Sequence, residues 1–318
     1  MKLRDIYNSV IEQGIRHDPR GIKGVKAYLD KVKKEYMQLS PKEKKSFDKE
    51  KLANPFSDTR ILYGNPDTNI KNIMVGIDIE TEEILLADVL RKRGKKIDLV
   101  FAHHPEGFAR FIFYEVMNVQ LDILREAGVP AGKVKDMLGE RIQEVMRKVL
   151  PANAMRPVDA ARLLGMPFMC AHTVADNFVS EYVNNLIDRN KPRTVRGLMD
   201  MLADEPEYKY AVSTNSGPKL ILGKPSNRCG KVMVEMTGGT EGSKKVFPEL
   251  VKAGVRTIVG MHMSEEHFKK AKKYSLNILI AGHISSDTLG INLLLDSIDK
   301  RNELSLIECS GFKRFRRG

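Results

Sequence analysis

The chain has 318 residues, 42% of them hydrophobic and 30% charged, with a formal net charge of +12. That length allows one large domain or two smaller ones around a buried core, and no apolar run approaches the length of a membrane-spanning helix. The three cysteines, Cys170, Cys229 and Cys309, are odd in number and lack CxxC spacing, so they read as reduced, buried small hydrophobes rather than a disulfide scaffold. The start, MKLRDIYNSV, carries charges where a signal peptide has its apolar stretch, and the expected location is the cytoplasm.

The charge is uneven. Residues 1–53 hold 14 Lys and Arg against 8 Asp and Glu, a local excess of +6, and Lys313, Arg314, Arg316 and Arg317 close the chain. Such basic termini could meet nucleic acid; the favoured reading is a solvated helical surface and a frayed tail.

The first part is helical. Leu3, Ile6, Tyr7, Val10, Ile11 and Ile15 recur at threes and fours, as do Val25, Tyr28, Leu29, Val32 and Tyr36. Ser40-Pro41-Lys42-Glu43 reads as a capping box with proline in the first turn, and Asn54-Pro55 ends this segment. A boundary is placed there: residues 1–56 form a helical N-terminal extension packed on the outside, and residues 57–318 a metal-binding α/β domain of two lobes. From Ile73 the pattern changes. NIMVGIDI is a buried strand, TEEILLADVLRKRG a helix capped by Thr81 and stopped at Gly94, and IDLVFA a second strand, an order that implies a parallel pair with a right-handed crossover. Residues 108–164 are mostly helical, followed by strand FMCA, a helix over 177–189 and another capped by Thr194. KLILG, KVMVEM, RTIVG, NILIA and SLIEC are strands of the last third, with helices between them. The expected fold is therefore α/β: two related α/β halves with mostly parallel strands flanked by helices, plus the helical extension. The likeness of DLVFAHH to NILIAGH hints at the pseudo-symmetry of the halves.

Three strand-like runs end on histidine. His103 and His104 follow Leu99–Phe101, His172 follows Phe168–Cys170 with Asp176 four residues on, and His283 follows Ile278–Ile280 with Asp287 four residues on. Four of the seven histidines sit at these ends. In open α/β sheets ligands bind beyond the carboxyl ends of the strands, and imidazoles with carboxylates there suit a metal site of mixed nitrogen and oxygen ligands. Pro105 stops the ladder after His103-His104, letting the two rings address different ions. The competing assignment is capping, by Thr173 or Asp176 in one helix and by Ser285 or Ser286 in the other; repetition of the His-to-Asp spacing at two strand ends argues against chance caps. His262, Glu265, Glu266 and His267 follow another strand; His262 could line the crevice, the glutamates are first-turn charges after Ser264, and His267 is expected on the surface. TGGTEGSKK lacks P-loop spacing and reads as a tight turn.

The ordered set AHHP, HTVAD and GHISSD resembles the Nif-three-like family of dinuclear metal proteins, some of which carry the label "GTP cyclohydrolase 1 type 2 homologue". The likeness covers roughly residues 70–318. It implies metal contact from His103, His104, Asp176 and His283, with His172 beside them, and a toroidal homohexamer. The family's last motif ends in glutamate; here Asp287 stands there, one methylene shorter. The expected cofactors are two divalent ions of zinc, iron, manganese or nickel, bridged by Asp176 and potentially Asp287. The expected activity is a metal-dependent hydrolase of a nucleotide, phosphorylated or cyclic amide small-molecule substrate. The alternative is a non-catalytic metal-binding ring that recruits protein or nucleic-acid partners.

Overall fold

The structure, a computed structural model, describes residues 1–301 and 303–317. Its elements run α1 (Leu3–Arg16), α2 (Gly21–Gln38), α3 (Pro41–Ser46), β1 (Thr59–Tyr63), β2 (Asn72–Gly76), α4 (Thr81–Lys92), β3 (Leu99–Ala102), α5 (Gly107–Ile112), α6 (Gln120–Glu126), α7 (Ala131–Val149), α8 (Arg156–Leu163) and β4 (Phe168–Ala171). They continue through α9 (Thr173–Asn190), α10 (Val195–Ala203), α11 (Pro206–Ser213), β5 (Lys219–Leu222), β6 (Lys231–Glu235), α12 (Phe247–Lys252), β7 (Val255–Gly260), α13 (Glu265–Lys273), β8 (Asn277–Ile280), α14 (His283–Ile298) and β9 (Ser305–Glu308).

The strands form two sheets, ordered β1-β4-β3-β2-β9 and β5-β8-β7-β6. In each, the first strand in sequence lies antiparallel at one edge, and the other strands are parallel. The edge pairings even share an irregularity, a register shift at Ile61/Tyr63 in β1 and at Leu220/Leu222 in β5. The two halves therefore have one topology, as expected, but the equivalence differs from the one DLVFAHH and NILIAGH suggest. Strand order matches β4 to β8 and β3 to β7, so His172…Asp176 is the counterpart of His283…Asp287. Strand β1, unread in the sequence, is the piece that completes the first half.

Helices α9 and α14 lie between the sheets. Val174, Ala175 and Phe178 of α9 and Ile291, Leu294 and Leu295 of α14 share a buried cluster with Ile73, Val75, Leu99 and Phe101 of the first sheet. The other sides of the same helices, Val179, Val183 and Leu289, join Val234, Val259 and Leu279 of the second sheet. Both helices are thus wrapped in apolar neighbours, and their first turns are held at the carboxyl ends of both sheets. They cross at Gly290, where an added Cβ would stand 2.5 Å from the Ala175 carbonyl oxygen.

Two expectations change. Helix α1 is in the core rather than outside it: Leu3, Ile6, Val10 and Ile11 are buried in the α9–α14 cluster, and Gly14 abuts Val174 and Phe56. The basic tail is not frayed. Arg314 pairs with Asp296, and Arg317 meets both Glu207 oxygens at 2.6 and 2.5 Å. Local caps mostly follow the sequence: Ser40 and Glu43 make the capping box, Thr194 accepts from Gly197, and Ser264 accepts from His267. Glu80, paired reciprocally with Glu83, takes the cap position expected for Thr81.

Candidate metal centre

The carboxyl ends of β3, β4 and β8 converge, and with them His103, His104, His172, Asp176, His283 and Asp287. The backbone amides of His103 and His104 still donate to the carbonyls of Gly76 and Ile77 at 3.0 Å each, so both residues leave β3 on a fixed path. His172 is the residue before α9 and His283 the first residue of α14; one turn further on, Asp176 and Asp287 point back over the same face. Neither aspartate is a cap. Asp287 is fully buried, Ser286 Oγ donates to the Gly282 carbonyl at 2.6 Å, and Thr173 Oγ1 donates to Asp58 at 2.6 Å.

Hydrogen bonds fix the rings. Nδ1 of His172 lies 2.9 Å from Asp58, Nδ1 of His104 lies 2.6 Å from Asp78, and Nδ1 of His103 lies 3.3 Å from the Ala171 carbonyl. A neutral ring that donates through Nδ1 keeps its lone pair on Nε2. All three Nε2 atoms are thereby presented to the shared space. His103 Nε2 is 3.4 Å from Asp176 Oδ1 and 3.5 Å from Asp287 Oδ1. On the other side, Asp287 Oδ2 is 3.5 Å from Nε2 of both His104 and His283. His172 Nε2 is 3.7 Å from Asp176 Oδ2.

Among the described residues, donor atoms fall into three groups able to hold a metal ion: His103, Asp176 and Asp287; His104, His283 and Asp287; and His103, His104 and His172. Asp287 belongs to two of them, one oxygen to each, which is the placement the sequence assigned first to Asp176. The site also has a chemical deficit that a cation would fill. His103 Nε2 and both Asp287 oxygens are buried without a hydrogen-bond partner. Buried polar atoms are almost always satisfied, and three orphans around one space point to an ion.

Burial and neighbouring charge set the protonation of the cluster. Burial lowers the His103 pKa to about 4, favouring the neutral ring. Burial also pulls down His104, but Asp287 and Asp78 outweigh it and lift that ring to about 10. Burial raises Asp176 to about 7. Burial likewise acts to raise Asp287, yet His103, His104 and His283 hold it well below the carboxylate range.

Asp58 and Asp78, which orient two of the rings, escape the sequence reading. Asp78 interrupts the apolar run NIMVGIDI just past the end of β2, and a lone acid there was the available signal; Asp58 precedes the unread β1 and offers none. His262 lies 5.1 Å, ring to ring, from His283 and lines the crevice. His267 is buried, against expectation, bonded to Ser264 and the Gly242 carbonyl. The turn TGGTEGSKK leads into a short 3-10 turn and then α12, with Gly238 and Gly239 at φ +89° and +85°.

An α/β protein with one topology used twice and a histidine–carboxylate cluster where the strand ends meet is thus defined. No family model and no curated protein matches the chain. Among solved structures, a NIF3 superfamily protein from Sphaerobacter thermophilus is 28% identical, with a TM-score of 0.69 over 80% of this chain and 92% of that one. Reduced HcgD from Methanocaldococcus jannaschii is 15% identical over 88% of this chain and 97% of that one, with a TM-score of 0.48. A Bacillus cereus protein related to NIF3 is 11% identical over 79% and 90%, at 0.40. In fold and sequence the chain is similar to that NIF3 superfamily protein.

Proposed function

We propose that the protein binds two divalent metal ions and acts as a metal-dependent hydrolase of a small molecule. The observation that supports this most is the set of unpartnered buried atoms, His103 Nε2 and both Asp287 oxygens, in a crevice toward which the Nε2 atoms of His104, His172 and His283 also turn. In this reading His103 and Asp176 hold one ion, His104 and His283 the other, and Asp287 serves both. His172 stands beside Asp176. The mixed nitrogen and oxygen donors suit zinc, iron, manganese or nickel. Ions held there supply Lewis acidity, which polarises a substrate oxygen and readies water for attack at neutral pH.

The chain's own residues do the rest. Asp58 and Asp78 keep His172 and His104 in the tautomer that faces inward. The crevice beside the cluster is lined by Glu235, Thr237, Thr240, Glu241 and His262, groups that can orient a polar substrate. The assembly we propose is a homo-oligomer, and the hexameric ring of the resemblance is its specific form. Screening metal-reconstituted protein against phosphoesters, nucleotides and cyclic amides tests the reaction: turnover that EDTA abolishes and metal restores is expected. Inactivity across all three classes in protein with full metal content would favour the non-catalytic ring.

A further inference from the structure

A second chamber opens on the far side of His283. It has a volume of about 370 Å³ and lies between α11, the start of α14 and the C-terminal segment. Tyr210, Ala211, Ile284, Thr288 and Phe315 form much of its wall, and His283 lines both this chamber and the crevice of the metal centre. Tyr210 and Ile284 are 46% and 40% exposed, an apolar surface that water covers when the chamber holds nothing else. The Tyr210 and Phe315 rings sit 6.0 Å apart and tilted at 55°, within the range of interacting aromatic rings.

The wall is built, not incidental. Phe315 is placed by two arginines near it in sequence, Arg314 just before it and Arg317 two residues after it. Arg314 is tied to Asp296 and to the Asn292 side chain, and Arg317 to Glu207 and over the Tyr182 ring. Its charges are cancelled in place. Glu207 is taken by Arg317, and Lys313 donates to Glu308 at 2.6 Å. The adjoining crevice adds Glu235 and Glu241 and no lysine or arginine. A half-open chamber of this size with an aromatic and aliphatic wall suits the apolar part of a small ligand.

We propose that this chamber is the specificity pocket of the metal centre and takes the aromatic or apolar ring of a substrate whose polar end lies at His283. The proposal rests on the metal-centre reading and adds to it an apolar or aromatic substituent on the substrate.

The test uses the full chain and two hydroxamates that chelate alike and differ in one substituent, acetohydroxamate and benzohydroxamate. In Zn2+-supplied protein, benzohydroxamate is expected to bind on the order of 10-fold or more tighter, from burial of its ring. Tyr210→Ala and Phe315→Ala should each reduce that preference and leave acetohydroxamate affinity unchanged. Equal affinities in the wild type, or a preference that survives both variants, would overturn the pocket. Failure of the metal-centre reading looks different: neither hydroxamate would respond to Zn2+ or EDTA. Benzyl alcohol then decides on metal-free protein, by saturation transfer from protein to ring. Transfer that Tyr210→Ala removes sustains the pocket, and no transfer in the wild type overturns it.

Discussion

Asp287 sits where two sets of histidines can share it, and the protonation states around it set how a cation enters. Without metal, His104 is held protonated at neutral pH, because Asp287 and Asp78 outweigh the effect of burial, and Asp176 is near half-protonated, because burial lifts it to about 7. Metals bind the deprotonated ligands. Uptake at pH 7 should therefore release protons, and affinity should climb as pH rises through 7 and on toward 10. Calorimetry in buffers of different ionisation enthalpy measures this; no proton release at pH 7 would contradict it. The orienting acids should matter too. Asp58→Asn keeps the size of the side chain but weakens the hold on His172 Nδ1 and Thr173, and metal affinity should drop on the order of 10- to 100-fold. An unchanged affinity by competition with a chelating dye would show that His172 is no part of the centre. The histidines gathered in the cluster were legible because each ends an apolar run. Their partners were not, because Asp58 reaches His172 across 114 residues and nothing local marks such a pairing. The roles of the two aspartates were also beyond reach, since a His-to-Asp spacing of one helical turn is the same for both and only the meeting of the halves puts Asp287 in the middle.

At the scale of elements, the centre depends on the crossing of α9 and α14. Asp176 and Asp287 ride in the first turns of these helices, and Gly290 allows their backbones to touch. Gly290→Ala would drive a methyl into the Ala175 carbonyl and force the helices apart. The expected cost is about 1–3 kcal/mol of stability, with a loss of metal affinity in the protein that still folds. Gly139→Ala in α7 is the control, since its Cβ would meet nothing within 4 Å; it should be neutral or stabilising by up to about 1 kcal/mol. Thermal melts with and without Zn2+ separate the two, and a Gly290→Ala variant with wild-type melting and metal content would refute the role given to the crossing. Most strands were readable from continuous apolar runs, as parallel buried strands should be. Strand β1 was not: TRILY has charge and an aromatic edge, and Arg60 within it is buried only because Asp48 and Glu50 pair with it from the preceding segment. The equivalence of halves was misjudged for a related reason. Short apolar strands look alike in sequence, and only their order in the sheet says which repeats which.

For the whole molecule, helix α1 and the C-terminal segment close the structure from opposite ends of the chain. Both carried basic residues that suggested loose surface elements, and both are fastened, the first by apolar burial and the second by ion pairs. Deleting residues 1–56 would uncover Leu3's, Ile6's and Val10's neighbours on α9 and α14, and the remainder is expected to aggregate or lose cooperative unfolding, as seen by light scattering and circular dichroism. A soluble, cooperatively folding 57–318 fragment would mean the core closes without α1. In the proposed function this fold holds two ions with Asp287 between them. The most direct measurement is metal content per chain, by elemental analysis after Zn2+ reconstitution and gel filtration, for the wild type, Asp176→Asn and Asp287→Asn. The account expects close to two ions in the wild type, about one in Asp176→Asn, and loss from both positions in Asp287→Asn with the fold retained. A wild type that retains no zinc, or an Asp287→Asn variant that retains two ions, would contradict it.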